Sequence, residues 1–452
     1  MRTSRVTVVN PDWDRCARRG IIQIGDKRIR IVNHAPVISS PREMRLFIQR
    51  IAGADLGHVR SCVFRLQDVG DTLRPSLLNS KMGTIDSQEG LSVKNVYLNH
   101  FFDETAIIID PSPDSMKYEG HMREFSMSTD LPSELTRFAA RMESYRTKKR
   151  KGMRDDEGES YESKIKREYS DFWDWLMQPG NIVKLRKIVE DTIAAQFKLG
   201  ADIGMPPVPV IDSARMLDFT RFVNMYALDY WPAEQKDTAS TYLILAPEVF
   251  SDDDLMKRVI AYIKSVETKF LVIKFKNLEL DRRDKVDETL RMKDLLETIS
   301  KIKHEHKDDK VFVALEAGVQ NYLFAVGGFD IVSTSMTGFD GDFPFRRFNK
   351  NALNGYLDIT TMLLRDDKYV RMILANAGFL HDGCVCSTVA DYNAARVDWY
   401  DIRREHFERR MDELYTQVEE FVGQRKIELG KDRLSKSRLS NLKQALPYLE
   451  FA

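Results

Sequence analysis

From Gly20 to Ser39, apolar and polar residues alternate on both sides of Gly25-Asp26, which predicts a two-stranded β-hairpin at the start of the fold. Residues 41–52 follow with helical spacing. Thr105 to Asp110 is a short, almost wholly apolar run closed by Asp-Pro, and such a run suits a strand covered on both faces, as in a parallel sheet. Residues 130–170 break the pattern. Arg146 to Glu168 is dense in Lys, Arg, Glu, Asp and Ser, which predicts an inserted, partly mobile segment. Beyond it the pattern predicts a helix over 180–198, an apolar segment over 203–211, a strand over 241–246 and a helix over 253–266. A strand over 270–275, a helix over 288–304, a strand over 310–315, a short helix near 319–326 and a strand over 330–334 complete the series, with a further strand at 372–374. Phe407, Met411, Leu414 and Val418 give the carboxy-terminal stretch the spacing of amphipathic helices.

Strands alternating with helices argue for parallel βαβ units. The expected class is α/β, a (β/α)8 TIM-like barrel, with an open doubly wound sheet as the alternative. Residues 1–40 form the hairpin, residues 41–380 the barrel with its charged insertion, and residues 381–452 a helical, zinc-like carboxy-terminal region. No GxGxxG and no GxxxxGK[ST] occurs, so neither phosphate-cradling loop supports a nucleotide-binding open sheet.

Composition narrows the class. With 452 residues, 43% of them hydrophobic, the chain has enough apolar surface for a large core. There is no apolar run of roughly 18 residues and no apolar leader, so the expected location is the cytoplasm, with no membrane partner. Lys+Arg and Asp+Glu are equal at 69 each, so a polynucleotide would have to be met by a local basic surface. Lys148-Lys149-Arg150-Lys151, Arg346-Arg347, Arg403-Arg404 with Arg409-Arg410, and the tail from Lys431 to Lys443 are candidates, although each also reads as an ordinary solvated face.

In a barrel the reacting groups project from the carboxy-terminal strand ends. Asp110 meets that condition, although Asp-Pro also simply ends strands. Glu316 follows one predicted strand, and Asp340 and Asp342 follow the next, while Asp330 stands at a strand's beginning, where a structural role is commoner. Gly338 and Gly341 would let backbone approach a ligand, or serve any turn. Cys384-Val-Cys386 with His381 and His406 has the donor types of a zinc site, because Zn²⁺ takes thiolate and imidazole in a tetrahedron; without metal the cysteines are small buried residues. Cys16 and Cys62 read as free thiols.

Several of these stretches, in order, resemble the tRNA-guanine transglycosylase superfamily. The resemblance rests on the opening hairpin, Ile107-Ile-Ile-Asp110-Pro-Ser-Pro, Leu199-Gly-Ala-Asp-Ile-Gly-Met205, the segment Glu316 to Asp330, and Cys384-Val-Cys386 with His406-Phe407. About half the chain is covered, and the Leu199 to Met205 segment is the specific piece. The sequence departs from the family in three places: Val389 stands where a third zinc cysteine is expected, leaving His381 as substitute. The Asp-Ser-Gly-Gly-Phe-Gln loop is missing after Asp110, and Gly-Gly-Leu-Ala-Val-Gly is missing near Lys274. The nucleophile strand has two registers: one makes Asp330 the nucleophile, the other puts Ser333 there and leaves Asp340 as the nearest later carboxylate.

The resemblance implies a base exchange that replaces guanine in a nucleic acid by a 7-deazaguanine through a covalent glycosyl-enzyme intermediate. DNA is the first expectation and tRNA the second. It assigns catalysis to Asp110 with Asp330 or Asp340, substrate contact to Asp202, Glu316 and Gly338, and Zn²⁺ to Cys384, Cys386, His406 and His381. A second copy of the chain is a further expected partner. Two other classes compete: a non-catalytic binding protein on a barrel-like scaffold, and a hydrolase or lyase holding a divalent ion with Asp110, Glu316 and Asp340.

Overall fold

The structure is a computed structural model that describes residues 6–14, 17–31, 33–38, 60–66, 105–119, 133–155, 158–198, 200–276, 286–306, 310–316, 324, 328–335, 356–358 and 363–365. It opens with an antiparallel sheet of β1 (Val6–Asp14), β2 (Ala17–Ile24) and β3 (Lys27–Ile31). The β2–β3 turn passes through Gly25 at φ 59°, where a side chain would be strained. The alternation that continues past Ile31 does not extend this hairpin. Residues Asn33–Ile38 (β4) instead pair in parallel with β5 (Ser61–Arg65) and β11 (Ile331–Ser335). A period of two fits a strand of either sheet, which is why the pattern alone extended the hairpin too far.

The main sheet adds β6 (Ala106–Asp110), β7 (Val210–Ile211), β8 (Ser240–Leu245), β9 (Phe270–Phe275) and β10 (Val311–Leu315). Its hydrogen-bonded order is β6-β5-β4-β11-β10-β9-β8-β7, and every pairing is parallel. In that order β6 and β8 are six places apart, which on a flat sheet is roughly 29 Å at 4.8 Å per strand. Yet the Tyr242 hydroxyl of β8 lies 2.8 Å from the Asp110 carboxylate of β6. The sheet is therefore strongly curled, and side chains on its concave face meet across it.

Residues 202–211 touch both ends of the strand order. Asp202 and Ile203 donate to the Ile107 carbonyl, and Ile109 donates to that of Ile203, while Val210–Ile211 pair with β8. Between these points Pro206, Pro207 and Pro209 have no N–H to give a ladder. Side chains substitute for it. Gln196 holds both the N–H and the carbonyl of Met205, at 2.8 and 2.7 Å, Val210 N–H donates to the Tyr169 hydroxyl, and the Thr220 hydroxyl donates to the Pro209 carbonyl at 3.3 Å.

Helices α1 (Asp114–Glu119), α2 (Ser133–Arg150), α3 (Tyr161–Leu176) and α4 (Ile182–Lys198) lie between β6 and β7, and α5 (Ala214–Tyr230) leads to β8. Helices α6 (Pro247–Ser251) and α7 (Asp253–Ser265) lead to β9, and α8 (Val286–His306) to β10. The expected partly mobile insertion is thus folded as the α2–α3 pair. Its sequence looks solvated because most of its charges face water, but α3 buries Tyr161, Ile165, Tyr169, Phe172, Trp173 and Leu176 along one face. Phe138 and Met142 of α2 complete the contact, with the Phe138 and Phe172 rings stacked 4.9 Å apart. None of the described helices is long and apolar enough to cross a membrane. Short strands Tyr356–Asp358 and Leu363–Arg365 pair antiparallel, and the expected elements at 41–52, 319–326, 372–374 and 381–452 lie wholly or mostly outside the described residues.

Candidate active site at the carboxy-terminal strand ends

Asp110 is the last residue of β6, and the Pro111-Ser112-Pro113 turn that follows fixes its surroundings. Ser112 sits at φ 47°, an uncommon conformation for a residue with a side chain, and its N–H and hydroxyl each return to the Asp110 carboxylate at 2.7 Å. Tyr242 donates to the same carboxylate from β8 at 2.8 Å, and Lys274 from β9 at 2.7 Å. Asp110 is therefore buried with donors on both oxygens, which fixes its orientation.

Strand periodicity explains the next part. Residues 272, 274 and 276 share a face of β9 and its continuation, so Lys274 and Lys276 project together past the apolar Val272. Lys274 is fully buried and reaches Asp110, Asp114 and Glu316 at 2.7, 2.8 and 3.1 Å. Lys276 reaches Asp114 and Glu316, each at 2.8 Å. Arg65, the last residue of β5, donates to Glu316 at 2.9 Å. Three carboxylates thus interlock with two ammonium groups and a guanidinium, and the formal charges cancel. Glu316 itself has φ 54°, and its N–H donates to the Ser333 hydroxyl of β11 at 3.1 Å. Two non-glycine residues in left-handed backbone therefore belong to one cluster, a distribution typical of sites where strain serves function.

Burial alone would raise the carboxyl groups of Asp114 and Glu316. Lys274 and Lys276, joined by Arg65 for Glu316, more than offset it, holding Asp114 below and Glu316 well below the usual carboxylate range. Burial likewise opposes charge on Lys274, but Asp110, Asp114 and Glu316 outweigh it and keep the ammonium above its ordinary value. Burial and the facing Asp110 push the Tyr242 phenol well up, so it is a neutral donor. Such an arrangement presents fixed charges in a buried setting, the condition under which they stabilise charge developing on a reacting group most effectively. Lys117 and Asp212 form a neighbouring ion pair beside it.

The residues singled out in the sequence divide by position. Asp110 and Glu316 come together through Lys274. Asp330 does not join them: it directly precedes β11, at the opposite end of the parallel strands, where it accepts from Lys303 at 2.7 Å and from the Phe312 N–H at 2.9 Å. Asp202 also sits away from the cluster, accepting from the Ile107 N–H at 2.7 Å and pairing with Lys27. Burial raises its carboxyl despite Lys27. Gly338, Asp340, His381, Cys384, Cys386 and His406 lie outside the described residues. Cys62 is a free, buried thiol whose pKa burial pushes well up.

Sequence reasoning passed over Lys274, Lys276, Arg65, Asp114 and Tyr242. One signal was present: a lysine inside Phe-Leu-Val-Ile-Lys-Phe, otherwise wholly apolar, requires a buried counter-charge. A scan against family models finds no family that matches the chain, and a search of curated proteins finds no match.

Proposed function

We propose that the curled parallel sheet is a (β/α)8 barrel and that its carboxy-terminal face carries out base exchange on a nucleic acid, DNA before tRNA, replacing guanine by a 7-deazaguanine. The observation that carries this reading is the placement of Asp110: buried, oriented by donors from β8 and β9, and at the strand edge where barrel enzymes hold their reacting groups. Within the segment on which the resemblance chiefly rests, Asp202 and Ile203 support this reading further, because they fasten β6 through Ile107 and Ile109, the strand that ends in Asp110.

In this reading a carboxylate attacks the anomeric carbon of the target nucleotide, the glycosidic bond breaks, and guanine leaves with a proton. The incoming base then attacks the same carbon, expels the carboxylate and gives up its own proton. Asp110 handles these protons, with Lys274 and Tyr242 holding it in place. The nucleophile falls to Asp340, in the chain that leaves the carboxy-terminal end of β11, since Asp330 is committed to Lys303 at the other edge. Zinc on Cys384, Cys386, His406 and His381 belongs to the same reading as a structural group. The divalent-ion hydrolase is the weaker alternative, because ammonium groups already stand among the carboxylates that would have to hold the ion.

Mass spectrometry of nucleosides from total DNA and tRNA of cells with and without the chain tests the proposal. A 7-deazaguanine nucleoside dependent on the chain, and lost in Asp110→Asn, is the expected result. Its absence from both nucleic acids in cells supplied with the base would overturn the proposal.

A further inference from the structure

We infer that the carboxy-terminal end of α2 is a phosphate-binding rim that holds the DNA backbone beside the site. The inference deepens the base-exchange reading, and rests on it for the choice of DNA. Between Ser144 and Arg154 the chain carries Arg146, Lys148, Lys149, Arg150, Lys151 and Arg154 and no acidic residue. Arg150, Lys151 and Arg154 are exposed. Among the described residues no carboxylate lies within ion-pair distance of Arg150 or Lys151. This separates them from the rest of the pair, where Arg146, Lys164 and Arg167 are each matched by a nearby Glu or Asp.

Contacts tie this end of α2 to the cluster. Lys149 donates to the Tyr118 carbonyl at 3.0 Å. The Tyr118 ring lies against both Lys117 and Lys276, at 5.4 and 5.8 Å, and Lys276 is bonded to Asp114 and Glu316. Tyr118 is four residues along α1 from Asp114, a rise of about 6 Å, and the extended Lys149 side chain separates it from the backbone of α2, so the basic run lies on the order of 10–15 Å from Asp114. One DNA strand places a phosphate about every 3.4 Å along the helix axis, so that distance spans about three to four nucleotides. A backbone held at the rim therefore leaves a nearby nucleotide free to enter the site when it is extruded. The Phe138–Phe172 stack packs α2 against α3 and so supports the rim, and a net-neutral protein needs a local surface of this kind to attract a polyanion.

The test uses the full chain, a fluorescein-labelled DNA duplex and anisotropy titrations at several salt concentrations. Each lost phosphate contact should lower the slope of log K against log salt by about 0.9, so Lys148→Gln/Arg150→Gln/Lys151→Gln should lose up to about 2.7. Loss of two contacts alone corresponds to roughly 60-fold weaker binding at 0.1 M salt. Lys184→Gln/Arg186→Gln/Lys187→Gln on α4 removes as many charges elsewhere and should leave the slope unchanged. Arg150 and Lys151 are exposed, whereas Lys148 also lies over the Tyr161 ring, so melting temperatures near wild type verify folding, and Arg150→Glu/Lys151→Glu gives an independent variant that spares Lys148. An unchanged slope in both rim variants overturns the inference. Loss of the slope without any base exchange in wild type would leave the rim standing and refute the reaction.

Discussion

Replacing Lys274 by Met tests whether the charged cluster is a mutually compensating unit. The substitution keeps much of the side chain's length and removes the ammonium group that lies within 3.1 Å of Asp110, Asp114 and Glu316. Three buried carboxylates would then face only Lys276 and Arg65, leaving one negative charge uncompensated. Removing one partner of a buried ion pair typically costs about 3–5 kcal/mol, because the remaining charge is neither solvated nor paired. At about 2–4 °C per kcal/mol, the upper end being for smaller domains, the melting temperature at pH 7 should fall by about 6–20 °C.

The pH dependence is more discriminating. In wild type, Asp114 and Glu316 are held below their unfolded values, so they contribute stability above the unfolded pKa that is lost as pH falls through the folded one. In Lys274→Met the uncompensated carboxyl is raised instead, and favours the fold only when protonated. The deficit relative to wild type should therefore be greatest near pH 7–8 and shrink toward about pH 4. Adding Glu316→Gln should restore part of the loss, because it removes the uncompensated charge. Differential scanning calorimetry of the three proteins from pH 4 to 8 reads both effects. A deficit that is independent of pH, or a double variant as unstable as the sum of its singles, would refute the reasoning.

Asp330→Asn should lower stability by about 3–5 kcal/mol, since Lys303 would be left buried without its counter-charge, and urea unfolding measures it. If the variant is still folded at low temperature, base exchange should persist, in contrast to Asp110→Asn. Tyr242→Phe removes one donor to a buried carboxylate at 2.8 Å and should cost about 1.5–3 kcal/mol by the same unfolding assay. Purified protein should carry about one equivalent of zinc by elemental analysis; metal-free protein would make Cys384 and Cys386 ordinary thiols.

The most legible elements were those with the least ambiguous periodicity. The runs at 106–110, 270–275 and 311–315 are apolar, short and bounded, and each is a buried strand. Helix α5 was passed over although Ser213 caps it and Met216, Leu217, Thr220, Val223, Asn224 and Ala227 recur at helical spacing. Strand β5 has 5 residues and ends in Arg65, too short and too polar at its end to stand out. Asp110 was identifiable because its position depends on local order: an apolar run, then Asp-Pro. Its partners were not, because Lys274 lies 164 positions away and only the curl of the sheet brings the two together. Asp330 shows the converse. Its place at the head of a strand was visible in the sequence, and that place decides that it pairs with Lys303 rather than with Asp110.

The proline-rich stretch from Pro206 to Pro209 has a consequence for anyone wishing to shorten the protein. That stretch cannot fasten itself to its neighbours, and Tyr169 of α3 supplies one of the bonds that do so. Residues 133–176 look like a dispensable charged appendage, yet excising them would take away a clasp and leave the Val210 N–H without an acceptor in the interior. A trimmed protein is expected to come apart first at that stave, well before the rest of the strands let go.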